Sequence, residues 1–215
     1  MSEITKLEQN LIIKKIDPKT INISINNNEM LMAIVGQFDH NLKNLSKLGN
    51  NSRFFSYPFG EYSLEFKNII KSLGFNYAFG QHSGVIDETK DLYELPRFPI
   101  NEKYGEIKRF NSLTKTLPFK YKKVYPEEKY LLQSKNPPKV KIEFYENIKN
   151  LETLRCYSNE GDKWRQSNIQ FESSNILLVN INEKFVGERG RINCSLRDPS
   201  GFWRWLGIQF VVSDK

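Results

Sequence analysis

The apolar positions change rhythm along the chain. Between about residues 39 and 113 they recur at helical spacing, broken by short extended runs. Asp39 stands where an N-cap would, Leu42, Leu45 and Leu48 follow, and Gly49 occupies the expected C′ position. A second helical pattern begins at Ser63, with Leu64, Ile69, Ile70 and Leu73 on one side and Gly74 at its end. Phe54 to Tyr57 and Phe75 to Phe79 predict strands on either side of that helix, the first closed by Pro58 and Gly60. Leu95 to Ile100 is extended, because its prolines exclude helix, and Tyr104 to Leu113 predicts a last helix. Nearer the start, Leu11 to Ile13 and Ile21 to Ile25 predict short strands, and Asn26 to Asn28 a turn. Met30 to Val35 is a short apolar run that suits a strand or a buried helix.

Near Pro118 the helical period fades. Strand patterns follow at Val140 to Phe144, Leu154 to Tyr157, Ile169 to Phe171, Ile176 to Ile181, Arg191 to Leu196 and Trp203 to Val212. Asp198 to Gly201 predicts the hairpin turn between the last two. Strands alternating with helices point to an α/β sheet or barrel, and short strands at near-regular spacing point to a β-sandwich. The pattern divides the chain into residues 1–117 and 118–215. No Gly/Ser-rich linker separates them, so the two parts are expected to pack together.

Charge narrows the partners. The net charge is +7, from 32 Lys and Arg against 25 Asp and Glu. Apart from Lys120, Lys122 and Lys123 the basic residues are scattered, which argues against nucleic acid. A basic surface also suits acidic glycans or an anionic membrane face. No apolar run is long enough for a transmembrane helix, and the first residues lack the apolar stretch of a signal peptide. A cytoplasmic protein is expected if Met1 is the natural start. Cys156 and Cys194 form no zinc-type spacing with each other or with His40 and His82. Two buried thiols are the favoured reading, and a disulfide stays open for an oxidising compartment.

The stretch from Phe55 to Tyr62, FSYPFGEY, precedes a helix that ends Leu73-Gly74-Phe75. The strand Tyr77-Ala78-Phe79 and then Leu95-Pro96-Arg97-Phe98 follow. Over about residues 38–110 this succession resembles the C-terminal half of a polysaccharide deacetylase domain, carbohydrate esterase family four. The resemblance implies a partial distorted (β/α) barrel followed by the β-sandwich-like domain. It implies hydrolysis of N-acetyl C–N bonds on a glycan or lipid-linked sugar. In the family a divalent metal, usually zinc, polarises the acetyl carbonyl, with an Asp as base and a His as acid. The Asp-Asp motif and the His-x-x-x-His motif that would hold the metal are absent from this sequence. No metal or other cofactor is therefore expected in this chain, which is expected to be weakly active or inactive unless a missing N-terminal half completes the site. A non-catalytic glycan-binding module is the alternative.

The resemblance places Tyr57, Phe59 and Tyr62 against a sugar, with the Phe59 backbone N–H as an oxyanion donor. Tyr57 stands where the family often has an Arg, and it cannot make that ion pair. Arg97 resembles an arginine that some branches keep beside the acid, and His82 is the candidate proton donor, with Ser83 lining the cleft. Each also has a structural alternative: core packing for the aromatic groups, a polar loop for His82, and an ion pair for Arg97. In the C-terminal part, Trp164 beside Lys163 and Arg165, and Trp203 on the strand with Arg204 and Trp205, suit stacking on a sugar ring. Sandwich core is the favoured alternative for Trp203 and Trp205.

Overall fold

The computed structural model describes residues 43–44, 46–47, 53–102, 104–145 and 148–212, with Asp162 described in its backbone only. Lys43, Asn44, Ser46 and Lys47 are helical. Asp39, His40, Leu42, Leu45, Leu48 and Gly49 lie outside the described residues, as do the segments expected to form strands before residue 36.

The first unit is a single βαβ crossover. Strand β1 (Phe54–Ser56) leads through a 3-10 turn (Pro58–Gly60) to helix α1 (Leu64–Ser72) and strand β2 (Tyr77–Phe79). β1 and β2 pair in parallel, Phe55 opposite Ala78. Ser63 caps the helix, its Oγ accepting from the Phe66 N–H at 3.1 Å, with Glu65 in the first turn and Lys71 in the last to complement the helix dipole. Gly74, at φ 82°, turns the chain out of the helix in a conformation that suits glycine. Phe66, Ile69 and Ile70 face the sheet and pack with Phe55, Tyr57, Tyr62, Phe75 and Ala78. Beyond β2 the chain is irregular as far as α2 (Ile107–Leu113), whose residues are all at least partly exposed.

The remainder is β-structure. Three short strands, β3 (Leu117–Pro118), β4 (Lys123–Tyr125) and β5 (Tyr130–Leu131), precede β6 (Val140–Glu143) and β7 (Arg155–Ser158). Then come β8 (Arg165–Gln166), β9 (Asn168–Ser173), β10 (Ile176–Asn180), β11 (Arg189–Arg197) and β12 (Trp203–Val212). One sheet runs β4-β6-β10-β9 and the other β3-β12-β11-β7-β8, with β5 also on β12. Period two sends Val140 and Ile142, Leu177 and Val179, Ile192, Cys194 and Leu196, and Leu206, Ile208, Phe210 and Val212 into one shared core. Gly201, at φ 87°, closes the β11–β12 hairpin, and its N–H donates to the Asp198 carbonyl at 2.8 Å.

The expected α/β barrel is therefore corrected. Besides the helical residues Lys43, Asn44, Ser46 and Lys47, the described residues form twelve strands and two α-helices, and one parallel βαβ unit is the whole of the α/β character. The helical rhythm before residue 113 is real where α1 and α2 form and at Lys43, Asn44, Ser46 and Lys47, but a single βαβ unit does not extend into a barrel.

Cys156 and Cys194 face each other on β7 and β11 and are joined by a disulfide, where two thiols were the favoured expectation. Both are fully buried in the sandwich core.

β12 is where the segment after the βαβ crossover meets the sheets. From Leu206 to Val212 it is buried on both faces. β11 lies along one of its edges. The other edge takes β3 at Arg204 and Trp205, the Ser83–Gly84 loop at Leu206 and Gly207, and β5 at Val211 and Val212. At Gly207 the approach is so close that a Cβ would sit 2.5 Å from the Ser83 nitrogen and 2.6 Å from its oxygen. Gly207→Ala is expected to destabilise the fold by about 1–3 kcal/mol, read as a lower urea midpoint. Replacing both cysteines by alanine is expected to lower stability by about 2–4 kcal/mol, the usual effect of losing a link that restrains the unfolded chain. Equal urea midpoints with and without reductant would contradict this.

Candidate functional site: a lysine-walled cleft

A cleft of about 310 Å3 opens between α1, the segment Asp87–Glu94 and the chain from Tyr121 to Lys129. Five lysines line it. Four are paired with carboxylates. Lys67 Nζ donates to Asp91 Oδ2 at 2.6 Å and Glu94 Oε2 at 2.7 Å. Lys90 is buried against Asp87 Oδ1 (3.1 Å), the Phe119 carbonyl (3.0 Å) and the Tyr121 ring, whose centroid is 4.5 Å away. At the rim, Lys122 pairs with Glu143 at 2.8 Å and Lys123 with Glu127 at 2.7 Å.

Lys129 differs. It is 6% exposed, and its Nζ donates to the Pro126 carbonyl at 2.7 Å, with no carboxylate among the described residues within ion-pair distance. Burial lowers the ammonium pKa, partly offset by the field of Glu94. Burial likewise lowers Lys90, with Asp87 opposing. In Lys67 the two carboxylates outweigh desolvation, and its pKa is raised.

At its inner end the cleft narrows to a pocket of about 10 Å3, room for one water-sized group. Tyr62, His82, Glu94, Tyr121, Lys129 and Gln209 surround it. The pocket sits where the outer edge of β12 is left uncovered. The Gly207 N–H donates outward to Ser83 and the Val211 N–H outward to Lys129, so strand parity turns the Gln209 N–H outward between them. The Gln209 side chain is engaged elsewhere, on the Phe59 carbonyl at 3.2 Å. His82 Nδ1 is enclosed and has no hydrogen-bond partner among the described residues. Burial depresses the imidazole to about 4, against the opposing pull of Glu94, so the ring is neutral at pH 7. Burial also raises the phenols of Tyr62 and Tyr121, keeping both protonated.

The residues singled out in the sequence fall into three places. Tyr57, Tyr62, His82, Ser83 and Arg97 gather around the Gly80–Ser83 loop. Tyr57 is a core residue at 1% exposure, its hydroxyl donating to the Tyr93 carbonyl at 2.9 Å and its ring 4.9 Å from Tyr62. Arg97 is exposed, and its Nε donates to the Gly80 carbonyl at 2.8 Å, bracing the loop rather than facing an acid. Ser83 contributes its backbone to the β12 junction. Phe59 is on the surface at φ 55°, with the Arg189 guanidinium 5.1 Å from its ring centroid. Trp203 is 44% exposed and stacks under Arg197, so it is not sandwich core, and Trp164 is 53% exposed. The two tryptophans are not brought together. Trp164 precedes β8, beside Ser158, which faces Ile192, whereas Trp203 faces Arg197, five positions along β11 or roughly 17 Å.

Lys67, Lys90, Glu94 and Lys129 were not anticipated. Only the Lys120, Lys122 and Lys123 cluster pointed to this region. Asp87 to Asp91 reads in sequence as a charged connection, and no spacing rule announces that it forms a wall.

No protein-family profile and no curated protein matches the sequence. Among solved structures, CopC from Methylosinus trichosporium OB3b aligns at 12% identity and a TM-score of 0.33, over 44% of this chain and 92% of that one. PcoC, a copper resistance protein from Escherichia coli, aligns at 10% identity and a TM-score of 0.32, over 44% of this chain and all of the other. Likeness this slight supports no functional reading. Nothing in these comparisons points to a polysaccharide deacetylase, and the barrel that the resemblance required is not the observed architecture. The assignment to that family, and with it the hydrolase, esterase and glycan readings, is corrected. FSYPFGEY supplies a strand end, a 3-10 turn and a buried Tyr, which the βαβ unit needs for its own packing. Among the described residues no group of three or more His, Cys, Asp or Glu could hold a metal ion, and no helix is long and apolar enough to cross a membrane.

The pH dependence follows from His82. Its pKa of about 4 in the fold lies below the 6.5 of an unfolded chain, so the unfolded state binds the extra proton first as pH falls. Its contribution is intact above pH 6.5 and is lost between 6.5 and 4, by at most about 3 kcal/mol. Urea midpoints from pH 7 to 4 are expected to fall less steeply in His82→Gln than in the parent chain. Parallel profiles would rule this out.

Proposed function

We propose that this chain is a binding domain for a small polar anion, a carboxylate or phosphate group received in the lysine-walled cleft. The observation that carries the reading is Lys129: an ammonium group buried at the inner end of the cleft, whose only hydrogen-bond acceptor among the described residues is a neutral carbonyl. A buried charge without a counter-ion costs several kcal/mol, and an anionic ligand removes much of that cost. The Gln209 N–H faces the same inner pocket and supplies a neutral donor, and Glu94, the carboxylate that lines the pocket, is held by Lys67. Neutral His82 and the protonated Tyr121 add polar contacts without repelling an anion. The division of the chain near residue 118 belongs to this proposal, with the cleft lying between residues contributed by the two parts.

The test is calorimetric titration with inorganic phosphate and with malonate, at low ionic strength. Saturable binding of one of them, weakened at least tenfold in Lys129→Met, is expected. Ten-fold is about 1.4 kcal/mol. The unliganded variant is expected to unfold within about 1 kcal/mol of the parent, since an apolar side chain of similar length replaces a buried, unpaired charge. No saturable binding of either anion, or undiminished binding by Lys129→Met, would refute the proposal.

A further inference from the structure

A second cavity, of about 280 Å3, lies beside the β11–β12 hairpin and shares no lining residue with the cleft. Its floor is the core itself. Phe119 and Leu196 are each 1% exposed overall yet line the cavity, with partly buried Ile148 beside them. The mouth is basic. Arg204 is taken up by Asp198 at 2.6 Å and by the Pro118 carbonyl at 2.6 Å, and Asp198 is held near a pKa of about 2 by Ser200 first and then Arg204. These two cancel. Lys120 and Lys149 do not: both are exposed at the mouth, and neither makes an ion pair among the described residues.

The geometry points to a binding site for a free amphiphilic anion, an apolar chain or ring bearing a single anionic head. The apolar body rests on Phe119, Ile148 and Leu196, and the head meets Lys120 and Lys149. Burying the body removes apolar surface from water on both sides, and the two ammonium groups supply orientation. A free molecule fits better than a bilayer lipid, because the cavity is too small for a pair of acyl chains and ends against the packed core.

The test is calorimetric titration of the full chain with octanoate, with 1-octanol as the uncharged control and phosphatidylglycerol vesicles as the membrane control. Saturable octanoate binding is expected, at least tenfold tighter than octanol. It is expected to weaken at least tenfold in the double variant Lys120→Glu, Lys149→Glu, whose urea midpoint should match the parent because both side chains are exposed. An Ile148→Phe variant, which fills part of the cavity, is expected to weaken octanoate and octanol alike. Failure of octanoate to bind, equal binding of octanol, binding unaffected by the lysine changes, or vesicle binding without octanoate binding would each overturn the proposal. Lys129→Met leaves this site untouched, so it is expected to bind octanoate as the parent does, which separates the two sites.

Discussion

The outer edge of β12 is the constraint on which the rest of this molecule depends. A sheet edge is a row of donors and acceptors that must be answered. Here no single long strand answers it. Three short segments share it: β3, the Ser83–Gly84 loop and β5. None could hold a place by itself, because each contributes only a bond or two. They are held by what lies behind them: Phe119 in the sandwich core after β3, the aromatic cluster of the βαβ unit behind the loop, and Leu131 in the core on β5. The glycine at 207 is what allows the loop backbone to reach the strand.

Sharing an edge leaves a gap, and the gap places the site. Between the loop and β5 the strand is met by side chains instead of backbone, and Lys129, Tyr121, His82 and Tyr62 converge there. Burying a lysine is costly, and the fold meets this differently at each position. Lys67 and Lys90 are given carboxylates, hydroxyls or carbonyls at hydrogen-bond distance. Lys129 receives one carbonyl. The distribution is uneven within one wall: Lys67 holds two carboxylates, and among the described residues Lys129 has none within ion-pair distance.

Much of the secondary structure was legible in the sequence, and the reason is local physics. Ser63 and Gly74 bracket α1 because capping and left-handed turns are decided within a few residues. Leu206, Ile208, Phe210 and Val212 mark β12 because alternate positions of a strand share a face, and this face enters the sandwich core. The two-residue strands β3, β5 and β8 carry no such pattern, since they form only where a longer edge offers them a partner. The barrel was misjudged for a related reason: a βαβ unit looks the same locally whether it stands alone or is repeated. Trp203 was misplaced because periodicity gives the face of a strand but not whether that face is covered as far as the strand's end. The cleft was nearly invisible, because Lys67, Lys90, Glu94 and Lys129 are far apart in sequence and meet only once β12 has gathered their segments.

The donor at position 209 belongs to the main chain. Any residue except proline presents the same N–H to the inner pocket, so the side chain there is free to drift while the contact persists. The chemistry of this pocket is divided between a lysine, which a single codon change can erase, and a peptide group, which almost none can. In a lineage that has kept its β12 edge but diverged everywhere else, half of the site would survive without leaving any trace in the identity of the residues.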